Sequence, residues 1–289
     1  SNSRFVWLLK IFSRKPVVWN AFYSLYDNWV HDRKRAKEGS FYASFLWFLD
    51  WLCCFASDII VLETTADIDY FVRTYGVSRM KFLRVPVGFD DQIFKPVNNN
   101  ETSTDKFIVE FHGRYIPVQG VKHIIEAADI LRDEKSIQFI LIGNGQTFAS
   151  DKALAESLRL DNIEFLDAVP KDHIPKYIAS ADVCIGLLGA IPRVNQAIPN
   201  KIFEAAAMCR ACINADTDAI KEVFTDGKDI LLVERGSGKD LAEKILLLKN
   251  NESLKNLIAA NALKTVNNHA SILVIGQILK DNLVKLTKS

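Results

Sequence analysis

Net charge is what this sequence has least of. Its 36 Lys and Arg against 35 Asp and Glu leave +1, so nothing global argues for a nucleic-acid partner. Cysteine is scarce and odd in number. Cys53, Cys54, Cys184, Cys209 and Cys212 are scattered through apolar runs, which fits buried free thiols in a reducing compartment rather than a disulfide framework. Cys209 and Cys212 make one C-x-x-C with no second pair nearby, so neither a zinc site nor a redox site is expected there. No internal repeat, low-complexity segment or signal peptide is visible, and Ser1 to Lys10 lacks an initiator. Long apolar runs are limited to residues 41–62. That run approaches spanning length, but Asp50 and Asp58 sit inside it, and carboxylates at a bilayer centre are costly. A buried helix over about 41–56, then a strand Ile59–Leu62, is the expected reading.

What is present is an ordinary folded composition, 49% apolar and 25% charged, in 289 residues, enough for two domains. Residues 1–40 carry eight Lys and Arg against three Asp and Glu, with aromatics interleaved. That pattern suits either an anionic membrane interface or a solvated basic face over an aromatic core. Pro16–Trp19 reads as a short strand, with the loop Asn20 to Asp27 at its carboxyl end. Asp67–Tyr75 reads as a helix closed by Gly76, and Leu83–Val85 as a strand. The polar stretch Asn98–Asp105 marks a domain boundary.

Beyond it the pattern is regular. Strand runs at Phe107–Phe111, Gln138–Ile142, Ile163–Leu166, Val183–Leu187, Ala211–Ile213 and Ile230–Val233 alternate with helical runs. The helices are expected at Val121–Leu131, Lys152–Leu158, Ile174–Ile178, Asn200–Met208, Ala219–Phe224 and Asp240–Leu248, with Leu254–Val266 and Leu273–Leu286 closing the chain. The alternation predicts a parallel sheet covered on both faces, with ligands beyond the carboxyl ends of its strands.

The residues that follow those strands are informative. His112-Gly113-Arg114 places a glycine where backbone can approach a ligand, then a guanidinium that can grip phosphate oxygens. Gly120 opens the next helix, and Gly143-Asn144-Gly145 makes a second tight turn. Pro199-Asn200-Lys201 starts a helix that is apolar nearly all round except for Glu204. Pro199 suits a first turn, and the free N–H groups and dipole there favour an anion. Glu204 either complements that dipole or accepts from a ligand. Two glycine turns and this helix start, all at strand ends of one sheet, point to a nucleotide.

The stretches HGRYIPVQGVKHIIEAA, LIGNGQ, SADVCIGLLG and IPNKIFEAAAM together resemble the nucleotide-sugar half of the GT-B retaining glycosyltransferases, the group 1 glycosyl transferases. RVPVGFDDQIFKP is similar to the segment with which that family enters its second domain. The resemblance implies an α/β fold of GT-B type, two Rossmann-like doubly wound parallel-sheet domains with the first incomplete. Residues 1–97 would form the acceptor-side domain, 98–272 the nucleotide-sugar domain, and 273–289 a helix returning to the first. On the order of a hundred residues would then be lacking from the first domain, and the chain alone is expected to be catalytically silent.

By the same resemblance Arg114 binds the donor diphosphate and Glu204 the ribose, while Gly143 and Gly145 line the nucleotide pocket. Catalysis would fall to Arg114, Lys201 and Glu204, and donor binding also to Gly113, Gln119, Gly120, Gln196, Pro199 and Asn200. Three departures stand out. Gln119 replaces a frequent lysine, for which Lys201 could substitute. Gln196 replaces the first Glu of an E-x7-E pair, so it can hydrogen-bond a hydroxyl but cannot take a proton. The loop after Pro16–Trp19 offers Asn20, Asp27 and Asn28 where the family often has a histidine. Asp216-Thr217-Asp218 spells D-x-D but reads as a helix cap, and no metal or cofactor is expected beyond the donor itself. His123, His173 and His269 have no partner spacing. The implied function is sugar transfer, with retention, to a glycan or lipid-linked acceptor. The expected place is the cytoplasm, peripheral at the inner face of the membrane. The alternatives are a sugar-nucleotide epimerase of the same fold and a non-catalytic nucleotide-sugar-binding protein.

Overall fold

The computed structural model describes residues 5–13, 15–96 and 105–288. The first strand-and-helix unit runs α1 (Val6–Phe12), β1 (Val18–Asn20), α2 (Leu25–Asp27), α3 (Phe41–Ala56), β2 (Ile59–Leu62), α4 (Thr65–Tyr75) and β3 (Phe82–Arg84). The second runs β4 (Phe107–His112), α5 (Val121–Ile130), β5 (Ile137–Ile142), α6 (Phe148–Ser157), β6 (Ile163–Leu166), α7 (Ile174–Ser180), β7 (Val183–Ile185), α8 (Asn200–Ala207), β8 (Ala211–Ala215), α9 (Asp218–Lys221), β9 (Leu231–Val233) and α10 (Gly238–Asn250). Two long helices follow, α11 (Glu252–His269) and α12 (Ile272–Lys288). The expected boundary, residues 98–105, falls almost wholly outside the described residues.

Each set of strands forms its own parallel sheet. The first has the order β1-β2-β3, the second β6-β5-β4-β7-β8-β9. In the second the order reverses between β4 and β7, and in doubly wound sheets the crevice at that switch point is where ligands bind. Alternation along β4 sorts its side chains. Val109 and Phe111 enter the core beneath α5 and α10, and Ile108 enters the core beneath α8 and α11. Glu110 and His112, in step with Ile108, therefore belong to the face that carries α8.

The smaller sheet packs Trp19, Ile60 and Leu62 against α3 and against Phe71 of α4. α3 spans the expected residues but buries one face only, leaving Phe41 and Phe55 exposed, and its Asp50 is held rather than stranded. Asp50 accepts from the Ser24 and Tyr75 hydroxyls, each at 2.9 Å, and from Tyr26 N–H at 3.0 Å. Burial still pushes its carboxyl up to about 6. Among the described residues no helix is long and apolar enough to cross a membrane.

Element ends differ from expectation where side chains intervene. α4 starts at Thr65 rather than Asp67, because Thr64 Oγ1 accepts from Asp67 N–H and Glu222 accepts from the N–H groups of Thr65 and Ala66. β7 stops at Ile185, since Asn214 Oδ1 takes the Leu187 N–H at 2.8 Å. Pro199 is not inside the first turn of α8 but caps it in extended conformation, and its carbonyl accepts from Ile202 N–H at 3.0 Å. Thr217 caps α9 through Ile220 N–H, as the D-x-D reading expects.

Candidate functional site

A cleft of about 550 Å³ opens between the two sheets at the carboxyl ends of their strands. One wall comes from the larger sheet and carries His112, Gly113, Arg114, Gln119, Lys201 and Glu204. The other comes from the smaller and carries Phe22, Tyr23, Asn28, Asp32, Arg33 and Glu63.

The first wall begins with an ion-paired relay. His112 Nδ1 donates to Glu110 Oε1 at 2.8 Å, and Nε2 to Glu204 Oε2 at 3.1 Å. Two carboxylate partners require both ring nitrogens to carry protons, so the ring is an imidazolium. Burial opposes that charge, but Glu110 and Glu204 outweigh it and raise the pKa to about 9. The other oxygen of Glu204 makes no hydrogen bond to a described residue, so it is free to accept from a ligand. His112 is the group that sequence reasoning missed. Its signal was present: Glu110 and His112 interrupt an apolar strand at alternate positions, on one face.

Lys201 lies on the first turn of α8, where Nζ donates to Gln119 Oε1 at 2.6 Å and stands 3.6 Å from the centroid of the Phe111 ring. The two side chains meet, so a lysine at 119 would set two ammonium groups against each other. Burial pushes Lys201 down to about 7, against the pull of Glu110 and Glu204. Arg114 is exposed at the mouth of the same cleft, and Pro199 and Asn200 border it.

Among the glycines, Gly113 faces the cation: a Cβ there would lie 3.1 Å from Lys201 Nζ. Gly143 serves Gly113 in turn, since its own Cβ would lie 2.0 Å from the Gly113 carbonyl oxygen. Gly120 and Gly145 likewise meet backbone, of Leu188–Gly189 and Tyr115. These three glycines border the cleft's framework, not its lining.

Gln196 is not brought to the cleft. Its Oε1 accepts from Arg193 Nη1 at 2.8 Å and its main-chain oxygen from Thr64 Oγ1 at 2.6 Å, and it lines a neighbouring cavity of about 640 Å³ instead. Arg193, which no sequence spacing singled out, locks the two sheets' units together. Nη1 reaches Asp67 at 3.1 Å and Asp27 at 3.5 Å, all three side chains buried. Of the first-domain groups expected to replace the histidine, Asp27 is thus engaged by Arg193 and Asn28 lines the cleft. Asn20 ends β1. No three His, Cys, Asp or Glu among the described residues are arranged to hold a metal ion.

Comparison with known proteins adds the family. Residues 92–265 match the model of the glycosyl transferases group 1. A Campylobacter jejuni N,N'-diacetylbacillosaminyl-diphospho-undecaprenol alpha-1,3-N-acetylgalactosaminyltransferase is 25% identical over 78% of this chain and 60% of its own length. The capsular polysaccharide biosynthesis glycosyltransferase CapM of Staphylococcus aureus is 25% identical over 73% of this chain and 53% of its own. The chain thus spans a little over half the length of these relatives. Among solved structures, Anabaena HepE in complex with UDP and glucose superposes with a TM-score of 0.81 at 17% identity, over 96% of this chain and 74% of HepE. That likeness is one of fold.

Proposed function

The chain belongs to the glycosyl transferases group 1 family and has the GT-B type of α/β fold, and from that premise we propose that the whole protein is a retaining glycosyltransferase. It moves a sugar from a nucleoside-diphosphate sugar to a hydroxyl of a glycan or lipid-linked acceptor. The observation that carries this reading is the convergence of Arg114, Lys201, the His112 imidazolium and the start of α8 on one cleft with Glu204. In such a transfer the barrier lies largely in departure of the diphosphate. Cations and helix N–H groups aimed at that group stabilise the charge as it grows. Arg114 and Lys201 hold the diphosphate, and the unbonded oxygen of Glu204 takes a ribose hydroxyl. That arrangement draws its charge stabilisation from the protein's own cations, and of the D-x-D carboxylates Asp216 is paired with Lys221 at 2.5 Å.

The acceptor approaches along the smaller sheet's wall. Two features support a peripheral contact with an anionic membrane at the inner face: exposed Phe12, Phe41 and Phe55, and exposed Lys34, Arg35 and Lys37. The test of the transfer reading is product analysis with the whole protein and labelled UDP- and GDP-sugars. A retained anomeric configuration in a glycosylated acceptor supports it. Nucleotide binding without transfer to any acceptor contradicts it.

A further inference from the structure

Glu63 follows β2 directly, at the carboxyl end of the central strand of the smaller sheet. It lines the cleft opposite His112, Gly113, Lys201 and Glu204. It makes no hydrogen bond to any described residue, and its Oε1 is sealed from solvent without a partner. Its neighbours are better placed. Asp67 and Asp27 reach Arg193, and Asp32 accepts from Val118 N–H at 3.2 Å. Arg193, the cation nearest in effect to Glu63, is occupied by those aspartates and by Gln196.

Phe22 lines the same cleft. Tyr23 N–H donates to Ala21 O at 2.6 Å, closing a three-residue turn around Phe22 at φ +60°. That is the rare, strained form of such a turn, and strain of this kind is kept where function requires it. The turn leaves the Phe22 ring half exposed, edge-to-face with Tyr23 at 5.5 Å.

One wall of the cleft therefore offers His112, Arg114 and Lys201, and the other, beside an Arg33 paired with Asp32, an unbonded carboxyl and an aromatic face. Phosphate oxygens suit the first wall better than the second. A pyranose suits the second, with hydroxyls round its rim and C–H groups on its faces. We propose that Glu63 and Phe22 recognise the sugar carried on the diphosphate, Glu63 by a hydrogen bond to a ring hydroxyl and Phe22 by packing on its C–H face. This rests on the donor reading given under Proposed function. Burial and Asp67, opposed by Arg193, push the Glu63 carboxyl up to about 8. At neutral pH it can thus both give and accept a hydrogen bond without adding negative charge beside a diphosphate.

The test is calorimetric titration of the whole protein with UDP, GDP, UDP-glucose, UDP-N-acetylglucosamine and GDP-mannose. Wild type is compared with Glu63→Leu, Glu63→Gln and Phe22→Ala. For the nucleotide sugar that wild type binds best, Glu63→Leu should weaken binding by about tenfold, with less than about twofold change for the matching diphosphate. Glu63→Gln, which keeps a donor and an acceptor, should stay within about threefold of wild type. Phe22→Ala should show the same sugar-selective loss as the leucine variant, and decides the matter if that variant does not fold. Equal losses for sugar nucleotide and diphosphate, or no loss for either, overturn the proposal. If wild type binds none of the five ligands, it is the donor reading itself that fails.

Discussion

The two walls of the cleft are built on different electrostatic plans. The larger sheet's wall gathers positive charge around strand ends: an imidazolium between two carboxylates, a buried lysine and an exposed arginine. The smaller sheet's wall carries Asp32, paired with its own Arg33 at 3.8 Å, and Glu63, and Arg193 from the opposite unit binds Asp27 and Asp67 beyond the cleft's lining. On the reading proposed above, the diphosphate lies against the first wall, where His112, Lys201 and Arg114 stand, and the donor's sugar then faces the second.

The largest expected effect comes from breaking the connection between the walls. Arg193→Leu leaves Asp27 and Asp67 buried without a cation, and loss of one partner from a buried pair costs about 3–5 kcal/mol. A thermal melt of the variant should show a clear fall in Tm. An unchanged Tm would mean that the carboxyl cluster is not held by Arg193. Next in size, Arg114→Ala removes a cation from the basic wall without disturbing a buried group. Turnover of the whole protein should fall by roughly a hundredfold or more, with the melt near wild type.

Glu204→Gln sharpens the comparison from within the basic wall. One acceptor becomes a donor, so affinity for nucleoside, diphosphate and nucleotide sugar should fall alike, by about 1–3 kcal/mol. Loss confined to the diphosphate would move Glu204 away from the ribose.

The pH dependence of binding is smaller and has a definite sign. Lys201, held near 7, is charged below that value and grips an anion; above it the free protein must take up a proton on binding. Diphosphate affinity should therefore fall as pH rises from 7 to 8, by up to about tenfold for one linked proton. His112, held near 9, keeps its charge through that range. Lys201→Arg should flatten the profile, and an unchanged slope in that variant would assign the proton elsewhere. The smallest effect expected is none: EDTA should leave transfer intact, and loss restored by manganese would contradict a metal-free basic wall.

How legible each wall was follows from how it is made. The basic wall sits on consecutive strand-end segments, so glycine turns and the Pro-Asn-Lys start could be read in order, and strand ends erred by only a residue or two. β7 ended early only because an asparagine side chain from β8 took its next N–H. Glu110 and His112 were readable as alternate charges in an apolar strand, but their meeting with Glu204, 92 residues from His112, is a fact of packing. The carboxyl cluster around Arg193, of which only Asp32 and Glu63 line the cleft with it, draws Asp27, Asp32, Glu63 and Asp67 from separate short elements and Arg193 from a distant loop. No spacing announces that cluster. Gln196 shows the same limit: its position in the motif suggested a ligand, and Arg193 claims its carbonyl instead.

The most direct measurement of the central claim is calorimetry of UDP, GDP and the matching nucleosides against wild type and Arg114→Ala. One diphosphate should bind per chain, with an affinity that falls by about tenfold or more in the variant, and the bare nucleoside should bind equally well to both. Absence of diphosphate binding at about 1 mM, or equal weakening of nucleoside and diphosphate, would contradict it.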